Sequence, residues 1–325
     1  MMVLIMRLCL VWLLASVPAL ATCAAMAASP AATPRYVIYY NADASPAEDL
    51  IGLPYTHVIL SFVTLAEGGR DMELIVDPKL EESLKVVDRL KADGKKVLVS
   101  FGGGDMTMDA WRKAVGRETA LASMLADFVS QRGLDGVDVD FEVTRALHHP
   151  PPQDGFDGKA FLIAFTHALR RSLHEGALIA HAPQAPYLDP DWHGGPYIAV
   201  LDQAGEAIDW ITVQYYNNPD FELPIATHLV GADRNVFPAS YAGIASGENF
   251  DWSSERTLVG LPVYRADASS GHHPPEVVRD QIVKPLMERY GDRFGGLTGW
   301  QFSTLTDDHR YWNGKLHEAL RPAEQ

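Results

Sequence analysis

Asp135-Gly-Val-Asp-Val-Asp-Phe-Glu142 is the stretch on which the reading of this chain turns. Successive side chains of a β-strand point to opposite faces, so Val137, Val139 and Phe141 share one face and Asp138, Asp140 and Glu142 the other. The apolar face suits packing under helices. The acidic face then points to a barrel axis, where Val, Ile and Leu are the usual filling. Carboxylates held this close together push at least one pKa upward, and a raised carboxyl pKa is what a general acid needs near neutral pH. An edge strand with a solvated acidic face is the plain alternative, but Leu134, Val137, Val139 and Phe141 argue for burial, and local rule-breaking of this kind marks functional sites. A carboxylate site for Mg²⁺ or Ca²⁺ would want further acids at the ends of other strands. Those ends carry Tyr, Gln, Asn and Trp.

Outward from the octet, the chain alternates strand-like and helix-like segments. Short β-rich runs begin at Arg35, His57, Lys96, Leu134, Ala177, Trp210, Thr257 and Gly296, each bounded by Gly, Pro, Asp or Asn. Residues 80–90, 119–131, 158–173 and 276–290 carry apolar residues at three- and four-residue spacing, the helical period. Strands alternating with helices imply parallel pairing, and eight such units in a chain of 325 residues predict a single α/β domain, a (β/α)8 TIM barrel over residues 34–322. A doubly wound sheet is the other topology of this pattern, but it carries a Gly-rich phosphate turn after its first strand. Tyr39-Tyr-Asn-Ala-Asp43 has none. The 42 acidic residues outnumber the 27 basic ones, a net charge of −15 that repels phosphate backbones, so nucleic acid is not expected as a partner and a neutral or cationic substrate fits better.

Residues 1–28 read as a signal peptide. Arg7 precedes the apolar run 8–20, and Ala19-Leu-Ala21 and Ala25-Met-Ala-Ala28 offer cleavage sites, which predicts a secreted or periplasmic protein. An uncleaved anchor is the alternative for residues 8–28, and no other stretch approaches the ~20 apolar residues of a membrane span. Both cysteines, Cys9 and Cys23, fall in this segment, so the processed chain is expected to lack disulfides. Lipidation at Cys23 is a further alternative.

The octet resembles the D-G-x-D-x-D-x-E signature of family 18 glycoside hydrolases, the chitinase family. Ser100-Phe-Gly-Gly103, Ala182-Pro-Gln-Ala-Pro186, Val213-Gln-Tyr-Tyr-Asn-Asn218 and Gly299-Trp300 resemble its further strand motifs in the same order, most closely those of plant class III chitinases and their bacterial relatives. The resemblance implies that Glu142 is the general acid, that Asp140 orients the substrate's acetamido group with Asp138 sharing a proton behind it, and that Tyr216 hydrogen-bonds the same group. Trp300 would floor the reacting sugar, and Tyr39, Gln214, Asn217, Gln184, Gly102 and Gly103 would line the cleft. Asp135, on the opposite face, is expected to be structural, and Tyr215 to face the helices. No metal or cofactor is expected. The implied partner is an N-acetylglucosamine-containing polysaccharide or oligosaccharide, cleaved at β-1,4 linkages by a monomer with no membrane span after processing. An endo-β-N-acetylglucosaminidase acting on N-glycans and a chitin-binding lectin-like member of the fold remain the alternatives, the latter disfavoured because Glu142 is present.

Several features stand outside these motifs. Residues 143–155, with Pro150, Pro151 and Pro152, form a stiff loop expected to shape or block sugar subsites. Trp111, Trp192 and Trp252 are candidates for an extended sugar track or for surface packing. The pairs His148-His149 and His272-His273 are candidates for metal or for exposed loops.

Overall fold

The computed structural model describes residues 34–41, 45–69, 71–232, 236–249, 251–303 and 308–321. The leader reading, with Cys9 and Cys23, lies outside the described residues. The strands are β1 (Arg35–Asn41), β2 (His57–Leu65), β3 (Leu74–Val76), β4 (Lys96–Gly102), β5 (Gly136–Asp140), β6 (Leu178–His181), β7 (Trp210–Gln214), β8 (Thr257–Pro262) and β9 (Gly296–Trp300). Eight of them run parallel and close into a ring, β1-β9-β8-β7-β6-β5-β4-β2, with β1 paired back onto β2 (Val37 beside His57). This is the (β/α)8 barrel that the alternation of segments predicts. Parallel strands are covered on both faces, which is why β2 and β4 read as near-continuous apolar runs, Val58-Ile-Leu60 and Val97-Leu-Val99.

β3 is the element the sequence reading lacked. It pairs antiparallel with the last residues of β2, Val63 opposite Val76 and Leu65 opposite Leu74. At three residues, its period-2 pattern is too short to stand out. Between Leu60 and Val63 the register of β2 against β4 slips. Phe62, within that irregularity, lines the cleft at the barrel mouth.

Two apolar layers result. Inside the ring, Val37, Tyr39, Ile59, Leu98, Ala180, Trp210 and Leu258 pack together, with Arg35 5.1 Å above the Trp210 ring at the bottom. Outside it, the helices lay their apolar stripes on the strands. The helix Gly158–Ser172 is typical: Asp157 accepts from Ala160 N–H at 3.0 Å as N-cap, and Phe161, Leu162, Phe165, Ala168 and Leu169 are buried. The segment expected as one helix over 80–90 breaks at Lys85 into Pro78–Leu84 and Val87–Ala92. That expected over 276–290 contains a π-helical stretch, Val278–Val283, ahead of Lys284–Tyr290. Pro196–Ala204 and Asp308–Leu316 are helices the reading missed; the first has Pro at its start and an apolar stripe that signal it, the second is too polar to show one.

The outer layer also holds His181, fully buried, with Nδ1 3.0 Å from Tyr197 Oη and its pKa pushed down to about 3 by burial. The unfolded chain takes up that proton near its ordinary value of about 6.5, so between the two values acid favours the unfolded state and the contribution is retained only above pH ~6.5. From pH 7 to pH 5 the His181 contribution to unfolding free energy should fall by about 2 kcal/mol. Urea denaturation of wild type and His181→Gln at both pH values checks this: the pH-dependent loss should be smaller in the variant by that amount, and equal losses would refute the assignment.

Candidate active site

Catalytic sites of such barrels lie at the C-terminal ends of the strands. There the inner row of β5 emerges. Asp138 is completely buried; its Oδ2 accepts from Tyr39 Oη at 2.9 Å and Ser100 Oγ at 2.7 Å, while its Oδ1 is buried without a hydrogen-bond partner among the described residues. One pleat higher, Asp140 Oδ1 accepts from Gln214 Nε2 at 3.0 Å, and the same nitrogen donates to the Ala182 carbonyl at 2.9 Å. Glu142, just past the end of β5, accepts at Oε2 from Gln184 Nε2 at 3.2 Å. Asp140 and Glu142 are hydrogen-bonded to each other.

Burial is the first cause of every shift in this row. It pushes Asp138 up to about 6 against the lowering effect of its Ser100 and Tyr39 hydrogen bonds. It raises Asp140 well above the carboxylate range, reinforced by the charges of Glu142 and Asp138, and it raises Glu142 with a further contribution from Asp105. Two carboxyls in contact in such surroundings share a proton rather than both ionise. The arrangement can donate that proton to a group at Glu142 and take it back.

A cleft of about 540 Å³ opens over this row. Tyr39, Asp140, Glu142, Tyr216, Trp300, Gly102 and Asn217 line it. Tyr39 and Trp300 meet edge to face at 5.5 Å between centroids. Gln214 and Gln184 act one step back, by hydrogen-bonding the two carboxyls. Asp135 is structural, accepting at Oδ2 from Val97 N–H at 2.9 Å, and Tyr215 turns to the helices, donating to the Ala239 carbonyl at 2.8 Å. The Asn217 side-chain oxygen is taken up by Ser269, whose N–H and Oγ donate to it at 2.8 and 2.9 Å.

Gly102 lines the cleft and Gly103 does not, and both also let neighbouring protein approach. Gly102 (φ +117) and Gly103 (φ +87) admit neighbouring protein: a Cβ on Gly102 would lie 2.1 Å from the Asp140 carbonyl oxygen, and one on Gly103 3.0 Å from the Phe62 ring. Gly104 is the one beside the acid, its Cβ position 3.7 Å from Glu142 Oε2.

The reading also missed part of the wall. Phe62, Thr64, Ile75, Asp77 and Lys79, brought in by the β2–β3 hairpin and the helix after it, line one side, and Asp105 and Asp267 lie on the rim. Only the hairpin pairing reveals the first group. None of residues 143–155 lines the cleft, contrary to expectation. That loop is tied down elsewhere, by Arg112 donating to the Asp154 carbonyl and by His148 stacked on His193 at 4.2 Å. Trp111 is neither sugar track nor surface; it is fully buried among Phe101, Phe141 and Phe161. Trp252 is buried beneath Arg256, and Trp192 packs on Tyr187. Among the described residues no three His, Cys, Asp or Glu side chains are grouped to hold a metal ion, and no helix is long and apolar enough to cross a membrane.

The family model "Glycosyl hydrolases family 18" matches residues 35–286. A GH18 chitinase from Pseudoalteromonas aurantia is similar in structure, with 32% identity and a TM-score of 0.75 over 88% of this chain and 99% of that one. An acidic endochitinase of Arabidopsis thaliana is 26% identical over 282 residues, 81% of each chain, and a basic endochitinase of Nicotiana tabacum 24% identical over 243 residues, 68% of this chain and 66% of its own.

The contrast between neighbouring glycines is testable. At its positive φ, Gly102→Ala must displace the Asp140 backbone and should lower unfolding free energy by about 2 kcal/mol or more. Gly104→Ala meets only ordinary contacts and should stay within about 0.5–1 kcal/mol of wild type. Equal stability of the two variants in urea titration would show that the close approach at Gly102 is not needed.

Proposed function

The chain belongs to glycosyl hydrolase family 18 and is a glycosidase, and from that premise we propose that it hydrolyses β-1,4 linkages between N-acetylglucosamine units of chitin or chito-oligosaccharides, retaining the anomeric configuration. The observation that carries this reading is the buried, proton-sharing row Asp138, Asp140, Glu142 under an aromatic cleft wall.

Cleavage needs a proton on the glycosidic oxygen as the bond breaks. Glu142, held above its ordinary pKa and facing the cleft, is the donor. A retaining reaction also needs a nucleophile on the opposite face of the anomeric carbon, and all three site acids rise from one strand. The substrate's own acetamido oxygen fills that role. Asp140 and Tyr216 hold the acetamido group in line and stabilise the positive charge that develops on the resulting oxazolinium ion. Water then opens the ion, with Glu142 as base. Holding the nucleophile within the substrate exploits the large effective molarity of intramolecular attack. Asp138, with its bare Oδ1, offers the proton of the Asp140–Glu142 pair a second acceptor. Trp300 stacks beneath the sugar, an aromatic face against its C–H bonds. The leader 1–28 would carry the protein out of the cytoplasm, where such polymers occur, and the barrel would act as one catalytic domain over residues 34–322.

Glu142→Gln should keep oligosaccharide binding and lower kcat by ~10²–10⁴-fold. Asp267→Asn, at the half-buried rim carboxylate, should stay within about tenfold of wild type if that group is no nucleophile. Steady-state kinetics on a chitin tetramer decides both; near-normal turnover by Glu142→Gln removes the acid from the scheme.

The internal nucleophile predicts the product. Proton NMR of the first-formed reducing end should show the β-anomer, and fully deacetylated chitosan should resist cleavage. An α-anomer as first product, or efficient chitosan hydrolysis, contradicts substrate assistance. Release of a high-mannose glycan from a glycoprotein in the same assay would instead favour the N-glycan reading.

A further inference from the structure

If Tyr216 meets the acetamido group, as the proposed function requires, its hydroxyl must be held to a fraction of an ångström. Yet Tyr216 lies two residues beyond the end of β7 at Gln214, where the strand ladder no longer sets its backbone. The chain turns at once, with Asn217 in the left-handed region at φ 58.

What holds Tyr216 is a clamp between two loops. Asn218 Nδ2 donates to the Tyr216 carbonyl at 2.9 Å. The Asn218 N–H donates to Glu222 Oε1 at 2.6 Å, and the same oxygen accepts from Ser270 Oγ of the loop after β8 at 2.8 Å. Asn217 Oδ1 accepts from the adjacent Ser269. Two side chains of one loop thus seize two consecutive serines of the other. The next residue, Gly271 (φ +83), is drawn onto Tyr216: a Cβ there would stand 2.5 Å from Tyr216 Cα and 2.6 Å from its Cβ. Glu222 itself is 2% exposed and does not line the cleft. A carboxylate is seldom buried unless hydrogen bonds offset its lost hydration. Of the two bonds described, one holds the segment that carries Tyr216 and the other ties it to the loop after β8.

We infer that Glu222 is a positioning residue for Tyr216, acting through Asn218 and Ser270 to lock the backbone from which the hydroxyl reaches the substrate. The inference rests on the reading of Tyr216 as an acetamido contact. It makes Glu222 part of the reaction without touching sugar.

The test is a cycle of Glu222→Ala and Tyr216→Phe, singly and together, with kcat and KM measured on a chitin tetramer. Misplacement of a substrate-orienting group should lower kcat of Glu222→Ala by about tenfold to a hundredfold, with a smaller change in KM. In the Tyr216→Phe background the same change should cost no more than about twofold, because the group it positions is already gone. Glu222→Gln, whose oxygen still accepts both bonds, should restore most of the rate. Losses that multiply in the double variant, or a Gln variant as slow as Ala, overturn the proposal. If Tyr216→Phe alone leaves kcat unchanged, the acetamido reading fails and the proposal falls with it; a slow Tyr216→Phe beside a normal Glu222→Ala sinks the clamp alone. Should Glu222→Ala not fold, Ser270→Ala removes one donor from a half-exposed side chain, and its smaller, few-fold loss must likewise vanish in the Tyr216→Phe background.

Discussion

Three carboxyls on one strand, pointing into a barrel, repel one another and lose the water that would solvate them. Much of what surrounds the barrel mouth answers that constraint. Tyr39 from β1 and Ser100 from β4 supply hydroxyls to Asp138, Gln214 from β7 supplies an amide to Asp140, and Gln184 from the loop after β6 supplies another to Glu142. These donors come from strands on both sides of β5, which only a closed ring can bring to one axis. Neutral donors suffice because the row is not fully ionised: burial raises all three groups, and protons shared within the row reduce the charge to be solvated. The chemical competence of the site and the electrostatic problem of the fold are one fact seen from two sides.

The same economy governs the backbone. Gly102 and Gly103 bring β4 against the Asp140 carbonyl, and the Gly103 N–H donates to it at 2.9 Å. Gly271 does for Tyr216 what Gly102 does for Asp140, letting a neighbouring segment press on the main chain that carries a functional side chain. Pressed backbones do not drift, and preorganised groups stabilise a transition state without reorganising at the moment of reaction. The cleft wall on the β2–β3 side, by contrast, is built from an added hairpin whose Ile75 is exposed and from Asp77, which caps the helix that follows.

How legible this was depended on the range of the interaction. The octet 135–142 exposes its own logic because strand alternation is local: the inward row and the opposite face of Asp135 follow from counting by two, as does the outward face of Tyr215 on β7. Residues whose meaning depends on a distant partner were misread or missed. Gly103 makes room for Phe62, and Trp111 closes an aromatic core with Phe101, Phe141 and Phe161. Proline-rich residues 143–155 lie next to Glu142 in sequence, yet His148 stacks on His193 and the loop leaves the cleft.

By itself the sequence determined the barrel, through the alternation of apolar strands and amphipathic helices, and the identity of the acidic row, through a period-2 pattern that puts three carboxyls on one face. Both are written in short-range periodicity, which survives without knowledge of what lies across the ring. Tertiary structure alone decided which carboxyl oxygen is left unpaired, which glycine faces the acid, which loop walls the cleft and how Glu222 reaches Ser270, 48 residues away, behind Tyr216. These depend on distances between segments far apart in the chain, and such distances exist only once the ring has closed.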